Sequence, residues 1–149
     1  MRLAALGLVA IVMASLSGCG SDFEKPKLGK VKGKVTNGGK PVEAGHIVFT
    51  PVAGKGGDTG QSATGEINPD GTYEITTFDT GDGAIVGQHV VTVEVRNKGD
   101  EMPKPKADGT IDYKLPKTVS PPKYAKVDTS PLRCTVEAGG TTFDIDLKN

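Results

Sequence analysis

A chain of 149 residues whose first 18 read as a removable export signal leaves about 130 to fold, enough for one domain and too few for two. Its 18 basic side chains are balanced by 18 acidic ones, which excludes the strongly basic surface that a nucleic-acid partner requires. With 21 glycines, 10 prolines and no tryptophan, the composition favours short strands, many turns and a lean core over helices.

In chain order, Arg2 gives a short charged start and residues 3–16 form an almost wholly apolar run. The run is too short to span a bilayer stably but suits the core of a signal peptide. It ends in Leu16-Ser17-Gly18-Cys19, the lipobox pattern, which predicts cleavage behind Gly18 and acylation of Cys19. Only a sulfur nucleophile forms the thioether to diacylglycerol, and the freed α-amine accepts a further chain. Several acyl chains then hold the protein to a membrane. Gly20, where Asp would retain the protein at the inner membrane, leans the localisation in the cell envelope towards the outer membrane. Residues 19–29, polar and interrupted by Pro26, read as the acylated cysteine and a flexible tether, and residues 30–149 as the domain. Because Cys19 is taken by lipid, Cys134 is left without a partner and no disulfide is expected.

Residues 30–36 alternate, with Val31, Gly33 and Val35 on one face and Lys30, Lys32 and Lys34 on the other, the pattern of a half-buried strand. Asn37-Gly38-Gly39-Lys40 supplies a tight turn before a second strand over residues 46–52, with Ile47 and Phe49 inward, and the two are expected to pair or lie close together. A glycine-rich loop at 53–60 precedes a hairpin of residues 61–67 and 72–77 around Asn68-Pro69-Asp70-Gly71, which has Asn, Pro and Gly where a type I turn prefers them. Residues 79–88 are turn-rich, and residues 89–96 alternate cleanly as a central strand, His89, Val91, Val93 and Val95 sharing a face. Residues 98–133 hold six of the ten prolines, many lysines and no sustained period, an unusual length for a loop inside a domain. Within it residues 110–115 alternate and predict a short edge strand, while Pro116, Pro121, Pro122 and Pro131 favour extended stretches along the sandwich with Tyr124 packing down as an anchor. Residues 134–138, Gly139-Gly140 and residues 142–148 read as a closing hairpin, with Phe143, Ile145 and Leu147 inward. About seven strands and no helical period imply an all-β, two-sheet sandwich.

Val31-Lys32-Gly33-Lys34-Val35-Thr36, Gly39-Lys40-Pro41-Val42 and Gly45-His46-Ile47-Val48-Phe49 together resemble the carboxypeptidase regulatory-like family, with its V-x-G-x-V strand, G-K-P-V turn and following strand. The hairpin at 65–75, Gly81-Asp82-Gly83-Ala84 before Gly87, and the stretch from Pro122-Lys123-Tyr124-Ala125 to Thr142-Phe143-Asp144-Ile145-Asp146-Leu147 are similar to it too. The likeness runs from about residue 30 onward and is greatest to small single-domain bacterial lipoproteins. It implies a prealbumin-like (transthyretin-like), Greek-key sandwich, no catalysis and no cofactor. Its motif residues are glycines, prolines and core apolars, which carry fold more than function.

Chemical candidates are sparse. His46 and His89 are the only histidines and lack zinc-binding spacings, and no Gly-x-Ser-x-Gly surrounds Ser62, Ser120 or Ser130. Asp79-Thr80-Gly81-Asp82-Gly83 is too short for a calcium loop and reads as a turn in which Asp bonds nearby backbone N–H groups. Asp144 and Asp146 read as the solvent face of an edge strand. Phe49, Tyr73 and Phe143 fall on inward faces, which leaves Phe78, Tyr113 and Tyr124 to stack on a sugar ring. The expected function is a membrane-anchored structural or protein-interaction module of the envelope, the alternative a glycan-binding module. Tyr113, Lys123 and Tyr124, in the one long loop, are the candidate binding residues. The competing reading of that loop is an inert cover for a sheet edge.

Overall fold

The computed structural model describes residues 26–52, 60–96, 106–110 and 119–148. The predicted signal, Cys19, Tyr113 and all of the edge strand expected at 110–115 except Thr110 lie outside the described residues. The strands in chain order are β1 (Leu28–Gly29), β2 (Val31–Asn37), β3 (Lys40–Pro41), β4 (Gly45–Pro51), β5 (Ala63–Ile67), β6 (Thr72–Glu74), β7 (Ala84–Ile85), β8 (Gly87–Val95), β9 (Arg133–Val136), β10 (Thr141–Thr142) and β11 (Ile145–Leu147). One 3₁₀ turn, Pro122–Tyr124, is the sole helical element among the described residues.

Alternation becomes sheet faces as expected. In β2, Val31 and Val35 are fully buried while Lys32 and Lys34 are exposed, and in β4 Ile47 and Phe49 are fully buried. β8 differs. Its inward residues His89, Val91, Val93 and Val95 are buried, but so are Val90 and Thr92 on the opposite face, where β8 is bordered by residues 119–132 bonded along its edge. The core joins these strands to Ile75, Val136, Ile145 and Leu147, with Tyr73 and Tyr124 at its margins.

Hydrogen bonding follows one path, β10-β2-β6-β5-β4-β8-β9, with β3 and β11 also on β2 and β1 paired to β7. β2 and β4 therefore do not pair, contrary to the sequence reading. β3 is only two residues long and contains Pro41, which has no N–H to extend a ladder, so the chain turns back on β2 briefly and crosses to the other side of the core. The closing hairpin is also absent. β9 is antiparallel to β8, whereas β10 and β11 lie parallel to β2, so the turn at 137–140 joins opposite ends of the path. Five residue steps span at most about 18 Å, so those ends lie close and the sheet curls into a half-barrel around its core, a sandwich-like all-β fold.

The fold also begins before residue 30. Leu28 and Gly29 pair with Ile85 and Ala84, and the Lys27 carbonyl accepts the Val86 N–H, so the tether ends near Pro26.

The predicted turn at 68–71 is present. Gly71 N–H donates to Asn68 C=O, Asn68 N–H to Thr72 C=O, and Gly71 takes φ +86°. Gly33 is required for another reason: a Cβ there would fall 2.0 Å from the Phe143 carbonyl oxygen, where the last strands cross β2. The same carbonyl accepts the Tyr73 hydroxyl.

The registers sort the loops between two ends about 25 Å apart, the length of β8. The lower end gathers residues 26–30, Val52, the turns at 76–86 and the turn at 137–140. The upper end gathers the turns at 38–39 and 68–71, Ala44, Arg96 and Lys148.

Candidate functional site

The candidate loop is firmly attached at its C-terminal part. Val119 N–H donates to Val95 C=O, the Ser120 hydroxyl accepts the Val95 N–H, the Ser130 hydroxyl donates to Val91 C=O, and Val91 N–H donates to Leu132 C=O. Residues 119–132 thus run down β8 as a cover, and Ser120 and Ser130 are buried for that structural purpose. Pro121 and Pro122 start the 3₁₀ turn that swings Tyr124 inward.

Tyr124 is 4% exposed, and its hydroxyl both donates to Lys148 C=O and accepts Lys148 N–H. Its ring is an anchor for the cover and the C-terminus, and offers no face to a sugar. Lys123 is exposed, its Nζ 5.1 Å from the centre of the Tyr124 ring, a cation–π contact that keeps the ammonium at the surface. Tyr113 lies outside the described residues. The earlier part of the loop is described at 106–110, where Lys106 N–H bonds Thr110 C=O, Gly109 N–H bonds Lys106 C=O, and the Asp108 carboxylate accepts both the N–H and the hydroxyl of Thr110. This repeats the bonding of the 68–72 turn, where Asp70 holds Thr72 in the same way. Both turns share Asp-Gly-Thr with the glycine at positive φ.

The titratable groups divide into surface and core. His46 Nδ1 stands 3.1 Å from Glu66 Oε1 across β4 and β5, a pair with no hydroxyl or thiol bonded to either member among the described residues. His89 is 1% exposed; its Nδ1 donates to Gly87 C=O at 3.2 Å, and Nε2 has no partner. Burial, opposed by that carbonyl, holds the imidazole below its usual pKa. Cys134, opposite His89 on β9, is a free buried thiol whose pKa burial pushes up. Burial, and then the neighbouring Cys134 and Asp144, push the Tyr73 phenol well above its usual range.

In the turn at 77–82 the Asp82 carboxylate accepts N–H groups from Thr77, Phe78 and Asp79 at 2.7, 2.9 and 2.9 Å. Burial works against its ionisation, but the N–H groups of Asp79, Thr77 and Phe78 outweigh it and lower the pKa. Those oxygens are spent on the backbone, as the sequence reading of this turn expected. Asp144 and Asp146 are exposed and tie β11 to β2, accepting from Lys34 N–H and the Thr36 hydroxyl.

One surface feature was not anticipated. A shallow cleft of about 410 Å³ lies over β2, β6 and β10, lined by Lys32, Lys34, Asn68, Thr72, Glu74 and Thr142. Among the described residues Lys32 and Lys34 form no salt bridge, although Glu74 is the cross-strand neighbour of Lys32. Alternation marked these lysines as outward, but only the non-local placing of β6 and β10 beside β2 makes a cleft of them.

No protein-family model matches the chain, and neither a curated protein nor a solved structure is significantly similar to it.

Proposed function

We propose that this chain is a lipid-anchored, non-catalytic module of the bacterial envelope that holds the segment following Arg96 away from the membrane for a protein partner. The observation that carries the reading is the separation of the two ends. The chain leading from Cys19 joins the lower end at β1, whereas residues 97–118 depart from the upper end after Arg96 and return beside Val95 at Val119, with the turn at 106–110 between. A rigid scaffold with its anchor at one end and its long loop at the other suits display. The resemblance to carboxypeptidase regulatory-like domains supports the same reading, with Greek-key, prealbumin-like connectivity and an outer-membrane location.

Mass spectrometry of the membrane fraction tests the anchor: the expected mature chain begins at an acylated Cys19, and Cys19→Ser is expected to release the protein. Replacing residues 100–107 with a short Gly-Ser link tests display. Loss of a co-purifying partner at unchanged melting temperature supports it, and retained partner binding with aggregation overturns it.

The cleft over β2 and β6 favours a second reading, glycan binding, because ammonium, amide, hydroxyl and carboxylate groups surround a space large enough for one sugar ring. It has no exposed aromatic platform, Tyr73 being buried beneath. Binding on a glycan array that Lys32→Ala and Lys34→Ala abolish would favour this reading over the first.

A further inference from the structure

The turn at 77–82 is rigid and yet presents an apolar ring to solvent. Asp82 fixes three successive N–H groups, the Thr77 hydroxyl donates to Gly83 C=O, and Gly81 N–H donates to the Thr76 hydroxyl. Gly83, at φ +97°, packs so tightly on β1 that a Cβ would lie 1.9 Å from the Gly29 carbonyl oxygen. Out of this frame projects Phe78, 47% exposed. Val52, 44% exposed, lies just past β4 at the same end, β4 standing two positions from β6 in the sheet. Lys27 and Lys30 are exposed at the same end, as are Asp79 and Glu137.

This is also the end at which the chain from Cys19 arrives. Seven residue steps separate Cys19 from Pro26, a reach of at most about 25 Å, comparable with the height of the domain. Such a tether confines the domain to the membrane but leaves its orientation free. A preformed aromatic at the tethered end removes that freedom, because a contact too weak to bind from solution is populated once its partner is held within reach.

We propose that the lower end seats shallowly on the bilayer surface through Phe78, with Val52 beside it and Lys27 and Lys30 meeting lipid phosphates. This rests on the anchoring of Cys19. Seated this way, the strands stand off the membrane and the upper end points away from it.

The test uses the chain purified from bacterial membranes and reconstituted in phosphatidylethanolamine–phosphatidylglycerol vesicles, with a nitroxide beside the intact Phe78 at Thr80→Cys or, at the upper end, at Lys40→Cys. Cys134 is buried and stays unlabelled. Melting temperatures equal to the parent confirm that both variants fold. A label at 80 several-fold more accessible to oxygen relative to a nickel chelate than the label at 40 is the expected result. Equal ratios from a membrane-bound, acylated protein overturn the seating and leave the anchor standing. A chain absent from the membrane fraction overturns the anchor and the seating with it.

Discussion

His89 brings a titratable ring into the core with one nitrogen bonded and the other bare, which fixes the sign of its pH effect. In the unfolded chain it titrates near 6.5, and in the fold its pKa is lower, so below about pH 6.5 the unfolded state binds more protons. Stability is therefore full above that pH and falls as pH drops towards the folded value, by at most about 1.4 kcal/mol per pH unit. Melting temperatures of the parent chain and of His89→Phe, followed from pH 7.5 to pH 5, are expected to diverge, with the parent losing more. Gly33→Ala belongs to the same scale. Its Cβ meets backbone and not a movable side chain, so a loss of roughly 2 kcal/mol or more in denaturant unfolding is expected, at the upper part of the overpacking range. The identity of such residues was legible in the sequence, but their reasons were not. Gly33 stood on an inward face of a strand, and the Phe143 carbonyl that excludes a side chain there is 110 residues away.

Individual elements were the most legible level. Period-two patterning located β2, β4 and β8, and the Asn68-Pro69-Asp70-Gly71 turn, which located β5 and β6 on either side of it, fell where its chemistry placed it. Alternation says which face of a strand is wet, not which strand lies beside it. For that reason the β2–β4 pairing and the closing hairpin failed, and the cleft over β2 and β6 went unseen. Tyr124, in a proline-rich stretch without a period, could be read as an exposed stacking ring or as an anchor packed down by its prolines, and its burial bears out the second reading. The turn at 77–82 yields an element-scale prediction. Asp82→Ala removes three acceptors' worth of bonding, so amide exchange at Thr77, Phe78 and Asp79 is expected to speed up roughly five- to tenfold, given about 1 kcal/mol per bond. Exchange in β8 is expected to be unchanged.

Across the whole molecule, the cover of residues 119–132 and the C-terminus share one fastening, the Tyr124 hydroxyl on the Lys148 backbone. Tyr124→Ala empties a core position and is expected to cost about 3–5 kcal/mol, whereas Tyr124→Phe, which keeps the ring, is expected to cost nearer 1 kcal/mol, both read from urea unfolding. The parallel seating of β10 and β11 on β2 has a consequence in time. β2 is edged by strands made about 110 residues after it, and until these emerge Val31 and Val35 line an open edge. A chain clipped after residue 140 is left with that edge of β2 unpaired and open to pairing with other strands.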